Sequence, residues 1–239
     1  MRIRQLALDA GELGPLHAFY GELLGLAATP RDNSVDFAIG RSVLVFHQTP
    51  GFDGRYHFAF NTPPGRIGQA IKFIQNKGIQ LLADADGKVL FEFDSWNATA
   101  LYFYDPAGNI VELIERRNLP APDPPNSGPF AVNEILEISE IGLATRDCQK
   151  LANQLKHRLS LSEYRDFSPT FIPLGDETGL LILVEEGRLW FPNTGVPAKI
   201  LPYRLHLQLN DDVASIVCLS DAEIDLSPSW KFGEQEDGL

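Results

Sequence analysis

Few side chains of this 239-residue chain are suited to chemistry: five histidines, two cysteines, and the carboxylates that fall inside otherwise apolar runs. Imidazole and carboxylate are both good ligands for a borderline divalent cation, and imidazole changes charge near neutral pH. His57 lies near the start of one strand-like run, Tyr56 to Phe60, and Glu112 sits inside another, Asn109 to Glu115. An inward carboxylate buried alone is expensive, so Glu112 wants a cation, a proton or a hydrogen-bond donor, and the strand of His57 is the expected neighbour. A neutral, hydrogen-bonded His–Glu pair without metal is the competing reading. The run Phe91 to Ala98 sets aromatic rings beside amide and hydroxyl groups, which makes Trp96 and Asn97 candidates for touching a flat, apolar ligand. A packed Trp with a capping Asn explains the same run equally well. Cys148 and Cys218 lie far apart, among apolar neighbours or at a helix start, and read as inert thiols.

The elements that must position these groups recur in order. Residues 2 to 9 alternate as a strand, Leu13, Leu16, Phe19, Tyr20, Leu23 and Leu24 recur at helical spacing up to Gly25, and strand-like runs follow at 34–39 and 42–46. Residues 56 to 60 begin again as a strand. A helix with Ile67, Ala70, Ile71 and Ile74 on one face comes next, then runs at 88–93, 99–104 and 109–115, the last two joined by the turn Asp105-Pro-Ala-Gly108. The two starts are separated by 54 residues, a repeat of β-α-β-β-β modules. Five prolines between 118 and 133 exclude a helix or an inner strand and mark a linker. A third module follows, with Asp147 capping a helix that carries Leu151, Leu155 and Leu159 on one face. A fourth opens at Tyr203 and is cut short.

Two segments, Leu16-His-Ala-Phe-Tyr-Gly-Glu-Leu-Leu-Gly-Leu26 and Phe103-Tyr-Asp-Pro-Ala-Gly-Asn-Ile-Val-Glu-Leu-Ile-Glu115, flank the strand of His57. In type and order they resemble the vicinal oxygen chelate superfamily, which includes glyoxalase I, extradiol ring-cleavage dioxygenases and bleomycin-resistance proteins. The resemblance implies an α+β fold of repeated βαβββ modules whose curved, mixed β-sheets enclose a cavity. It implies a paired domain over 1–117, a linker over 118–133, a degenerate half over 134–210 and an acidic tail over 211–239. It places a divalent-metal site on Gln5, His57 and Glu112, with Glu112 also moving protons, for Fe, Mn, Ni or Zn. Strand alternation lets Gln5 share a face with Ile3 and Ala7, although its neutral amide oxygen is a weaker donor than imidazole. Val45 stands where glyoxalase I carries a further carboxylate. His47, two residues on, is a candidate for substrate binding or a strand-end histidine near solvent. In the second half Glu140 matches Gln5 and Arg204 matches His57, and a salt bridge between the two is expected.

Twenty basic residues against 32 acidic ones give a net charge of −12, a sign that repels phosphate backbones and anionic headgroups, so nucleic acid and membrane are not expected partners. Residues 211 to 239 hold eight carboxylates against Lys231 alone and read as a solvated, partly disordered tail. No window is long and apolar enough to span a bilayer, and no apolar leader opens the chain, so the expected location is the cytoplasm. Two functions stand as rivals. One is a metal-dependent lyase, isomerase or ring-cleaving dioxygenase acting on a small molecule with vicinal oxygens. The other is a metal-free module that sequesters an aromatic ligand. A homodimer is compatible with either.

Overall fold

A computed structural model describes residues 1–121, 127–192, 194–209, 212–218 and 224–228. The first module contains β1 (Arg2–Ala10), a helical segment that starts as α1 (Gly14–Leu16) and widens into a π-helical stretch (His17–Leu23), then β2 (Ala28–Pro30), β3 (Ser34–Ile39) and β4 (Ser42–Gln48). The second contains β5 (His57–Thr62), α2 (Ile67–Asn76), β6 (Phe91–Phe93), β7 (Ala98–Tyr104) and β8 (Ile110–Arg116). In both, the last strand runs parallel to the first and antiparallel to the third. The third module repeats this with β9 (Glu137–Thr145), α3 (Cys148–Leu159), β10 (Phe171–Asp176) and β11 (Gly179–Glu185); its second strand is reduced to one bridge, Glu163 to Leu174. The fourth is an antiparallel meander, β12 (Tyr203–Leu209), β13 (Asp212–Cys218) and β14 (Ile224–Pro228), with no helix among the described residues.

The strands form two arrays of seven. One runs β2-β3-β4-β1-β12-β13-β14, the other β6-β7-β8-β5-β9-β11-β10, and they meet where Ile3 of β1 faces Ile138 of β9. Ser42 pins this joint, since its hydroxyl donates to Ile3 O (2.6 Å) and accepts from Ile138 N (3.1 Å). The helices cover one face of both arrays. Ile67, Ala70 and Ile74 of α2 and Leu151, Ala152 and Leu155 of α3 enter a continuous core with Phe58, Phe60, Ile138 and Ile141. Each buried Ile or Leu contributes about 2 kcal/mol there. Asp147 caps α3 by accepting from Lys150 N at 2.9 Å.

The pairing corrects the domain expected over 1–117. The first strands of modules one and two do not pair with each other. Instead β1 pairs with β12 and β5 with β9, so module two joins module three, and module one joins module four. All four first strands alternate in similar ways and each offers a free edge, so side-chain pattern alone does not say which edges meet. Two further expectations change. The stretch assigned to an acidic tail contains β13 and β14, while 229–239 lie outside the described residues. In the proline-rich linker, 122–126 likewise lie outside them, but Phe130 is buried against Phe73 of α2, and Arg66 reaches Gly128 O and both oxygens of Glu134.

The two segments that carry the sequence resemblance touch. Tyr20 is fully buried and donates to Asp105 Oδ2 (2.9 Å), and the same carboxyl accepts from Ala107 N, Asn109 N and Asn109 Nδ2. Asn109 Oδ1 in turn accepts from Tyr56 N (2.8 Å), the residue before His57, so this cluster fixes where β5 and β8 begin. Burial pushes the Asp105 carboxyl up to about 6 against the opposing pull of its four donors. Asp105→Ala should lower unfolding free energy by roughly 3 kcal/mol in urea denaturation, because it orphans buried donors as well as deleting their bonds.

Candidate metal centre

Register builds the site. β5 lies between β8 and β9, and Ala59 faces Glu112 on one side and Glu140 on the other; Tyr102 and Leu180 extend the row to Leu180–Glu140–Ala59–Glu112–Tyr102. Residues directly opposite one another share a face, so both carboxylates rise from the face opposite the helices with only a methyl group between them. His57 stands on that face two residues before Ala59, roughly 6.5 Å along the strand. A bulge helps to aim Glu140: Ala59 pairs with Glu140 but Phe60 pairs with Ile138, which leaves Ser139 as the extra residue.

All three side chains are buried, and one ligand atom from each lies within 4.8 Å of the other two. His57 Nδ1 is 3.1 Å from Ile110 O, which can only accept, so Nδ1 carries the proton and Nε2 presents a lone pair. That lone pair faces Glu112 Oε2 at 3.5 Å. Burial holds the imidazole down at about 4, so it is neutral at pH 7. Burial first, and the neighbouring Glu140 second, raise the Glu112 carboxyl well above the usual range, while Tyr102 hydrogen bonds to it and opposes the rise. Glu140 is raised by burial and pulled back by Arg116, which binds its Oε1. Two acceptors facing one another want a cation or a proton between them. One nitrogen with two carboxylates, their ligand atoms all within 4.8 Å of one another, suits a divalent first-row metal.

The site opens on a cavity of about 450 Å³ walled by Trp96, Tyr102 and Trp190, with Phe167 and Phe191, both substantially exposed, at its edge. Trp190 lies 5.0 Å from the His57 ring and rests on Gly142, where an added Cβ would come within 2.3 Å of the indole. Ile182, on β11, occupies the register position that Glu112 holds on β8 and supplies no ligand.

The structure brings His57 and Glu112 together and adds Glu140, not Gln5. Gln5 lies on β1 between Val43 and His206, in the other array. Because Arg4 bulges, Ile3 shares the core with Leu6 and Leu8 and not a face with Gln5, and Gln5 is kept from His57 because β1 pairs with β12 and not with β5. Nor does Glu140 bridge Arg204, which sits on β12 opposite Ala7. His47 belongs to the same distant array, opposite Ser34 and Asp9, and does not line the cavity. Trp96 lines the cavity, but Asn97 turns away: it takes a left-handed conformation (φ 48°) and donates to Asn118 Oδ1 at 2.7 Å. A sequence signal for Glu140 existed in Ile138-Ser-Glu-Ile141, a polar pair inside an apolar strand that matches Ile3-Arg-Gln-Leu6.

No family model matches the chain, and no curated protein matches it. Solved structures do. A Bacillus subtilis protein provisionally assigned as a dioxygenase superposes with a TM-score of 0.60 at 15% identity, over 91% of this chain and 81% of that one. The fold is that of the glyoxalase/bleomycin-resistance/dioxygenase proteins. Two variants of glyoxalase I from Zea mays agree, with TM-scores of 0.50 and 0.51 at 17% and 18% identity; each alignment covers 84% of this chain, and 70% and 69% of those chains. No helix among the described residues is long and apolar enough to cross a membrane.

Gly142→Ala should dislodge Trp190 and let water reach His57. The expected results are a stability loss of about 1–3 kcal/mol and a His57 pKa that climbs from about 4 toward 6.5, read by NMR titration. In the parent protein the unfolded chain binds the extra proton, so the His57 contribution to stability is lost as pH falls from 6.5 through 4.

Proposed function

We propose that the protein binds one divalent cation between His57, Glu112 and Glu140 and admits to the adjoining cavity a small molecule that offers two neighbouring oxygens. The observation that carries this reading is the neutral imidazole lone pair set 3.5 Å from a buried carboxylate, with a second carboxylate alongside. A cation held there supplies Lewis acidity for negative charge developing on a substrate oxygen. The remaining work falls to the chain. The Ile110 carbonyl keeps His57 in the Nδ1–H tautomer, Tyr102 orients Glu112, and Trp190 shields the imidazole from water. Glu112 is the group suited to take a proton from the substrate and return it, through the carboxylate oxygen that the cation leaves free. Ile182 leaves the protein with three donors, which keeps positions free for substrate oxygens.

The similar solved structures are named for two activities, glyoxalase I and, provisionally, dioxygenase. Two carboxylates and one imidazole favour the proton-moving kind, lyase or isomerase chemistry, over oxygen activation, for which two nitrogens and one carboxylate are the usual set.

Elemental analysis after dialysis against Mn²⁺, Fe²⁺, Ni²⁺ or Zn²⁺ should find stoichiometric metal in the parent protein. Glu112→Ala and Glu140→Gln should each weaken binding roughly 100-fold, while Gln5→Ala should leave it unchanged. A parent protein that takes up none of these ions would leave the metal-free binding of an apolar ligand as the surviving function, and a Glu112→Ala variant that retains them would remove the ion from this site. Loading should also tighten as pH rises, because Glu112 must surrender a proton it holds above the ordinary carboxylate range; calorimetry in buffers of different ionisation enthalpy counts that proton.

A further inference from the structure

Arg116 is the largest fully buried side chain among the described residues. It lies on β8, on the same face as Glu112 and four residues beyond it, and its Nη2 binds Glu140 Oε1. Glu140 is its one ion-pair partner among the described residues, and its Nε and Nη1 have no hydrogen-bond acceptor there. Ring faces stand in for the missing acceptors: Trp96 lies 5.3 Å and Tyr164 5.6 Å from the guanidinium carbon. Arginine carries a fixed positive charge.

We propose that Arg116 is a positioning residue of the metal centre: it holds Glu140 by one oxygen, leaves the other for the ion, and limits through its fixed charge how tightly a divalent ion is held. This rests on the metal-binding reading above. In water such a charge would be screened, but in a buried, aromatic-walled site it acts on the ion several-fold more strongly. The two carboxylates and Arg116 sum to −1, so removing the guanidinium exposes the ion to a full −2. The same removal leaves Glu140 buried without a partner in the metal-free protein, which unfolds it more easily.

Zn²⁺ affinity, measured by competition with a chromophoric chelator, tests this without reference to turnover. Arg116→Met should bind Zn²⁺ at least roughly 10-fold more tightly than the parent. Its metal-free form should melt lower, and saturating Zn²⁺ should raise its Tm by more than it raises the parent's. Arg116→Lys should stay within about 3-fold of the parent, since the charge is kept. Arg116→Gln, which can still donate to Glu140, should show the tightening where the Met variant does not fold, and each variant is refolded with Zn²⁺ as well as without. A parent that binds Zn²⁺ beside neutral variants that bind it equally or less tightly, or that stay unfolded with the ion present, would overturn the role given to Arg116. A parent and variants that all ignore Zn²⁺, Mn²⁺ and Fe²⁺ would instead remove the metal reading on which it rests.

Discussion

Two carboxylates buried on either side of an alanine methyl group set the terms for this half of the molecule. Glu140 and Glu112 flank Ala59 across three adjacent strands, and neither reaches bulk water. Buried carboxylates are tolerated only when paired, protonated or coordinated. The surroundings divide the work unequally. Arg116 answers Glu140 with a direct ion pair, whereas Glu112 receives the Tyr102 hydroxyl, feels Arg116 from farther off, and faces the bare lone pair of His57. The undersatisfied member is therefore Glu112, and it faces the cavity beside an imidazole whose other nitrogen is already committed to a backbone carbonyl. That asymmetry distinguishes a centre from a structural ion pair, in which the charges would be arranged to cancel.

Holding such a row requires strands that cannot slip. A one-residue slip of β8 against β5 would turn Glu112 into the helix-covered core, where Val111 and Leu113 now pack. The cluster of Tyr20, Asp105, Asn109 and Tyr56 supplies the register, because it joins the turn before β8, the residue before β5 and the helical segment of module one. The contact between the two segments that look most distinctive in the sequence thus acts at a distance from the chemistry, by fixing where two strands start, while the second segment also carries Glu112 into the site. Module one contributes no ligand; its part is to hold module two in place.

Much of the architecture was legible in the sequence because it is local. Helical spacing located the helices, alternation located the strands, and the repeat of 54 residues exposed the modules. His57 and Glu112 were also legible, since β5 and β8 belong to one module and their pairing follows from the repeat. Gln5 was the wrong third member for a non-local reason: edge pairing between modules leaves no trace in the alternation of any one strand. Asn97 was misread because Asn serves equally in a ligand site and in a left-handed turn, and here the turn takes it. Trp190 gave no signal at all. It enters from the connection between β11 and β12, and the space it fills is created by Gly142, 48 positions away.

The two arrays begin with the same construction and reach different outcomes, which argues that residue identity and the return of the last strand together decide where a centre forms. β1 and β9 each bulge one residue before the matching position, at Arg4 before Gln5 and at Ser139 before Glu140. Each then faces an antiparallel partner, Gln5 opposite His206 and Glu140 opposite Ala59. The first-strand position that holds His57 in one array holds Arg204 in the other, and a cation there repels a metal ion where an imidazole would bind it. The carboxylate strand is lost as well, because β13 turns back antiparallel to β12 where β8 runs parallel to β5. A parallel return needs a crossover, and the fourth module, with no described helix, does not make one. Once that crossover is gone no residue can take the place of Glu112, whatever its chemistry, and the array of modules one and four is left to brace the one that carries the centre.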